Sequence, residues 1–89
     1  MNINKKIQVN NDGLIDICLW NNTYIFVGCK DNSIKLVDLK NWIVIQNITG
    51  QNRAVLTIKK INHPQYGECL ISQGYKDDGI RIWTNIIDN

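Results

Sequence analysis

The chain states one short phrase twice. KDNSIKLVDL fills positions 30–39 and KDDGIRIWTN fills 76–85. Each runs Lys-Asp, a small turn, then Ile, a base and an aliphatic residue. Asp77 lies 46 residues after Asp31, while upstream Ile58 lies 41 residues after Ile17. That difference predicts a longer loop over 62–68, where Pro64 and Gly67 break regular structure. A unit this short cannot hide its apolar side alone, and stacking against its neighbour is what buries it. The repeat therefore restricts the chain to one supersecondary unit used twice.

The pattern within each unit reads as strands. Short apolar runs at 14–20, 24–29, 34–39 and 42–48 are separated by turn residues. A second set follows at 54–61, 69–73 and 80–83, with 86–87 as a short tail. β-Branched residues dominate these runs, and none is long enough for a helix. Asn21 and Asn22 suit a tight turn because Asn tolerates positive φ. A further short strand is expected at 6–9.

The second unit resembles the WD-repeat (Trp-Asp repeat) family of β-propellers. Gly74, Asp77, Ile80, Arg81, Ile82 and Trp83 follow that family's pattern in register, and Asn62-His63-Pro64 looks like its usual loop after the first strand. The first unit follows it more loosely through Gly28, Asp31, Ile34, Lys35, Leu36, Val37 and Asp38, with Val37 where Trp is usual. Thr84 replaces the final Asp of the second unit, and Gly50-Gln51 stands for the Gly-His pair that opens a repeat. The resemblance covers roughly residues 5–85.

It implies an all-β chain: two four-stranded antiparallel blades of a β-propeller, blade one at about 14–48 and blade two at about 54–87. Residues 6–9 would then be an outer strand for another blade. It also implies a side-chain network of Gln51, Gln73, Asp77 and Trp83 in the second unit. The first unit offers Val27, Asp31 and Val37 at those places, so its network is mostly missing. Asp31 and Asp77 have a turn role on chemistry alone, since a carboxylate accepts hydrogen bonds from turn amides. Two blades cannot close a ring. The expectation is a piece of a longer propeller, or copies that assemble by exchanging residues 6–9.

Composition excludes several function classes. With 89 residues the chain is one small domain at most or part of a larger one. A hydrophobic share of 44% argues against disorder. The net charge of +2, spread along the chain, is too slight to point to nucleic acid or an acidic membrane. Cys18, Cys29 and Cys69 form no CxxC pair, which argues against a disulfide framework and a zinc site. Reduced thiols in a cytoplasmic or nuclear protein are the expectation. No apolar run approaches a membrane span or a signal peptide.

No catalytic, metal or cofactor site is expected. His63 is the single histidine, with no Ser or Cys nucleophile and orienting carboxylate near it in sequence. Asp77-Asp78 are neighbours in a turn, so their side chains diverge. GQNRA at 50–54 has one glycine and precedes a strand, so it lacks a phosphate cradle. Trp20, Trp42 and Trp83 sit at strand positions and read as packing residues, with Trp42 the exception as the opening of an outer strand.

WD-repeat propellers are rigid platforms for other proteins, and their partners usually bind the face carrying the loops at 10–13, 30–33, 50–53 and 76–79 of this chain. The partner-binding candidates are Arg53, then Gln51, Asn52, Lys30 and Lys76. Arg leads because it is enriched at binding hot spots. The reading is a non-catalytic protein–protein interaction scaffold. The alternative is nucleic-acid or phosphoinositide binding through the basic loop residues.

Overall fold

The computed structural model describes residues 1–49, 54–76 and 79–87. It is all-β, with no helix among the described residues. The strands are β1 (Leu14–Leu19), β2 (Tyr24–Cys29), β3 (Ile34–Asp38), β4 (Ile43–Ile48), β5 (Val55–His63), β6 (Gly67–Gly74) and β7 (Arg81–Trp83). They form two antiparallel meanders, a four-stranded sheet ordered β1-β2-β3-β4 and a three-stranded sheet ordered β5-β6-β7.

Turn chemistry explains the reversals. Asn21 Oδ1 accepts the amides of Thr23 at 2.8 Å and Tyr24 at 2.9 Å, closing the β1–β2 turn. Asp31 Oδ1 accepts both the hydroxyl of Ser33 and its amide, the latter at 3.2 Å, in the β2–β3 turn. Asp38 Oδ1 accepts the amides of Lys40 at 2.7 Å and Asn41 at 3.2 Å before β4. Such caps offer turn amides the partners a strand would otherwise supply.

The repeat is visible residue by residue in the registers. Ile17 lies opposite Val27 as Ile58 lies opposite Ser72, and Ile25 faces Val37 as Leu70 faces Trp83. The irregularity between Leu14 and Asp16 recurs between Val55 and Thr57. A bulge re-aims the strand that carries it, so its recurrence ties the two units more closely than strand count does.

The sheets stack. Cys18, Phe26, Ile34 and Leu36 of the first pack with Val55, Ile58 and Leu70 of the second. Asp16 Oδ2 accepts the Ile58 amide at 2.9 Å, and the Trp20 carbonyl accepts from Lys60 Nζ at 2.6 Å. Contacts advancing together along β1 and β5 mean that these strands run in the same sense. Gly28 is where the approach is closest: a Cβ there would sit 2.8 Å from Val55 Cγ1.

Four expectations change. The second sheet has three strands rather than four. Residues 86–87 form no fourth strand, because Ile86 and Ile87 turn onto the inter-sheet core instead. Residues 6–9 form no strand either. Ile7 and Val9 lie on the outward face of the first sheet, over Val27, Cys29 and Val37. The longer loop at 62–68 is instead a lengthened hairpin, since Ile61 pairs with Cys69, Asn62 with Glu68 and His63 with Gly67. Finally, Gln73 is not the partner of Trp83. Gln73 is exposed, while Trp83 Nε1 donates to Ser72 Oγ at 2.8 Å. Of the five extra residues the hairpin takes four and the fifth falls between Ser72 and Arg81, so β6 lies one residue off the sequence repeat and Ser72 rather than Gln73 meets the indole.

Candidate functional site

The two ends of the stack differ in chemistry. One end carries the β2–β3 and β6–β7 turns, and with them Lys30 and Lys76, both exposed. The Lys30 amide donates to the Gly13 carbonyl at 3.3 Å, and its aliphatic stem lies over Gly13. Lys76 has φ 56° and its ammonium lies 5.5 Å from the Tyr75 ring centre. A left-handed lysine is uncommon, and here it ends β6 sharply. Gln51, Asn52, Arg53 and Asp77 fall outside the described residues. The strand order places the two described lysines at the same end.

Asp31 sits at this end as well. The Ser33 hydroxyl, followed by the Lys35 ammonium, holds its carboxyl below the usual carboxylate range. Lys35 Nζ lies 3.8 Å from Asp31 Oδ2 and donates to Ser33 Oγ at 3.1 Å and Asn47 Oδ1 at 2.8 Å. Every member of this chain has a partner within the sheet, which is the geometry of a turn support.

The opposite end holds a cleft of about 370 Å³ between the sheets. Trp20, Lys60, Tyr66, Glu68 and the tail residues Asn85 and Ile86 line it. Lys60 spans it. Its ammonium donates to the Trp20 carbonyl, meets Glu68 Oε2 at 2.7 Å and lies 4.7 Å from the Trp20 ring centre. Trp20 in turn meets Phe26 edge-on at 5.4 Å. His63 closes the neighbouring turn, its Nδ1 accepting the amides of Gln65 at 3.0 Å and Tyr66 at 3.3 Å. Its ring stacks on Tyr66 at 4.8 Å. The imidazole is thereby committed to the turn.

Sequence reasoning missed this cleft. The available signal was Lys60, a base standing in the second unit where the first has Leu19. A cation there, with Glu68 on the facing strand, marks a polar tie across an otherwise apolar interface.

The thiols offer little chemistry. Burial pushes Cys18 and Cys29 up from the ordinary thiol range, away from the reactive thiolate. Among the described residues, no three His, Cys, Asp or Glu side chains gather as metal ligands. No helix among them is long and apolar enough to cross a membrane. No protein-family model matches the chain, and a search of curated proteins returned no match.

Proposed function

We propose that this chain is a WD-repeat-like segment of a β-propeller and serves as a non-catalytic protein–protein interaction scaffold in the cytoplasm or nucleus. One observation carries the reading. The second sheet repeats the register of the first down to the bulge after Leu14 and Val55, and the two stack with their first strands in the same sense. Meanders stacked face to face are how propeller blades are arranged, which supports the reading. Rigid blades present their connecting loops in fixed positions, and loops held by a rigid scaffold are where binding concentrates. The working end is the one with Lys30 and Lys76, and the sequence adds Gln51, Asn52 and Arg53 to the candidates.

The test reverses charge at that end with Lys30→Glu, Arg53→Glu and Lys76→Glu together. The proteins retained from a cytosolic extract by the wild-type chain and by the variant are then compared. The variant should lose a subset of them while keeping the melting temperature of the wild type. An identical retained set would overturn the assignment of this end. Retention on polynucleotide or phosphoinositide vesicles that falls steeply with salt would favour the other reading.

A further inference from the structure

Of the three tryptophans, Trp42 alone is held out of the fold, and by a backbone that suits it poorly. Trp20 meets Phe26 edge-on at 5.4 Å, and Trp83 Nε1 donates to Ser72 Oγ at 2.8 Å. Trp42 ends the turn at 39–42 with φ 62°. That is the left-handed region, where glycine is at ease and a bulky side chain is not. The turn is fixed from its other end. Asp38 Oδ1 accepts the Lys40 and Asn41 amides, and Asn41 Nδ2 donates to Asp38 Oδ2 at 2.9 Å.

The indole gains little inside the molecule. It is 47% exposed and joins neither buried cluster. Its ring contact is the Lys5 ammonium, 5.9 Å from the ring centre and at the outer limit of a cation–π attraction. Backbone strain of this kind concentrates at sites that clamp a ligand, and Trp is among the residues enriched at binding hot spots.

The surroundings specify the occupant. Ile43 and Ile45 on the same strand are 52% and 44% exposed. β4 ends the order of its sheet, and its register against β3 skips Ile45. A bulge twists an edge away from further strand pairing, so β4 offers side chains rather than a ladder. Lys40 is the one charged residue in 40–49. Lys5 and Lys40 are exposed, and neither forms an ion pair among the described residues. Asp38, the carboxylate nearest Lys40 in sequence, has both oxygens committed to the turn. The patch is thus apolar with a cationic rim. Two copies meeting here would set ammonium against ammonium, whereas an acidic chain matches the rim. The aliphatic Ile43 and Ile45 favour an apolar side chain over stacked bases, which need a run of aromatic faces.

We infer that Trp42, Ile43 and Ile45 form a docking surface for a protein segment that carries an aliphatic or aromatic side chain beside carboxylates. The side chain packs on the indole and the two isoleucines, and the carboxylates meet Lys5 and Lys40. Trp42 lies at the opposite end of the first sheet from Lys30. The surface is therefore separate from the loop face proposed above, and it stands whether or not the sheets are propeller blades.

Selection from a phage-displayed library of random peptides on the full chain, with the Trp42→Asn variant as counter-selection, tests this. Asn accepts left-handed backbone and lacks the indole, so that variant should melt no lower than the wild type. Peptides enriched on the wild type should carry Asp or Glu next to Leu, Phe or Trp. Made synthetically and followed by fluorescence anisotropy, they should lose at least about tenfold in affinity on Trp42→Asn, as for a hot-spot aromatic. Lys5→Glu with Lys40→Glu should weaken them by a similar factor, while Lys30→Glu with Lys76→Glu should leave them bound. A loss with the second pair and none with the first would assign the peptides to the loop face and overturn the inference. So would enrichment of basic or purely polar peptides, no enrichment over the variant, or a Trp42→Asn chain that melts well below the wild type. Trp42-dependent binding of a single-stranded oligonucleotide or of anionic vesicles, tighter than that of the peptides, would overturn it in favour of those partners.

Discussion

At one topological position the two sheets use opposite chemistry. The first places Val27 beside Val37, and the second places Ser72 beside Trp83. The first pair lies on the outward face under Ile7 and Val9, and the second lies between the sheets, where the indole reaches the hydroxyl at 2.8 Å. All four side chains are mostly or wholly buried. The same backbone register is therefore fixed once by shape alone and once by shape with a directed bond. A buried Ser is stable only with its partner in place, so the second sheet tolerates less change at this pair than the first does.

The largest test of the comparison sits one residue further along. Gly28 and Gln73 occupy equivalent positions, but only Gly28 faces a packed neighbour. Gly28→Val should destabilise by about 3 kcal/mol, the upper end for overpacking. Gln73→Val should stay within about 0.5 kcal/mol, as surface changes do. Chemical denaturation of both variants checks this, and equal effects would mean that the sheets do not meet at Gly28.

Next comes the staple between the sheets. Asp16 accepts the Ile58 amide across the interface and the Ile17 amide on its own strand, each at 2.9 Å. Asp16→Ala leaves the Ile58 N–H without its acceptor and should cost about 2 kcal/mol, in the range for bonds to charged groups. Thr57→Ala, at the equivalent place on the outward face of the second sheet, should change stability by a few tenths of a kcal/mol. The Ile58 amide should also exchange faster in Asp16→Ala, which a purely local effect on β1 would not produce.

A smaller effect is expected at the polar pair itself. Ser72→Ala should cost about 1 kcal/mol. A cycle with Trp83→Phe should then show coupling, because the two substitutions remove the same bond. The matching cycle of Val27→Ala with Val37→Ala should couple through a shared cavity and show no gain from restoring a hydroxyl. A polar pair that proved additive would reduce the difference between the sheets to one of size.

How much of this was legible in the sequence follows from the same residues. Strand periodicity, the turns at Asn21 and Asp31, and the repeat itself depend on local chemistry, and each was readable. The partner of Trp83 was not. It depends on where five inserted residues go, and whether an insertion lengthens a loop or a hairpin is decided by cross-strand pairing. Ile61 opposite Cys69 and Asn62 opposite Glu68 drew four of them into the ladder, and the fifth, falling between Ser72 and Arg81, left the hydroxyl one position off the repeat. Residues 6–9 were misread for a related reason. Alternation marks Ile7 and Val9 as one-sided, but one-sided burial fits an extended segment lying on a sheet as well as a paired strand. The cleft at Lys60 and Glu68 was missed because its parts come from two sheets: Lys60 alone stood out against Leu19, and no motif joins it to Trp20.

The smallest expected effect separates the sheets by acid. The capped carboxylates of the described turns, Asp31 and Asp38, both belong to the first sheet. The Ser33 hydroxyl holds Asp31 down, and the Asn41 side-chain amide, 2.9 Å from Oδ2, does the same for Asp38. In the unfolded chain both return to the ordinary carboxylate range near about 3.9. A carboxyl whose folded value is the lower one binds its proton more readily when unfolded. Its contribution is therefore complete above about pH 4 and is lost as pH falls through the folded value. Acid should therefore loosen the turns of the first sheet that these two carboxylates cap. Asp31→Asn with Asp38→Asn should flatten the stability profile below pH 4 and leave the profile near neutrality parallel to that of the wild type. Amide exchange followed from pH 4 downward should then show Ser33, Lys40 and Asn41 deprotected ahead of the amides paired between β2 and β3. The reverse order would mean that the carboxylate caps add nothing to the first sheet beyond what its strands already hold.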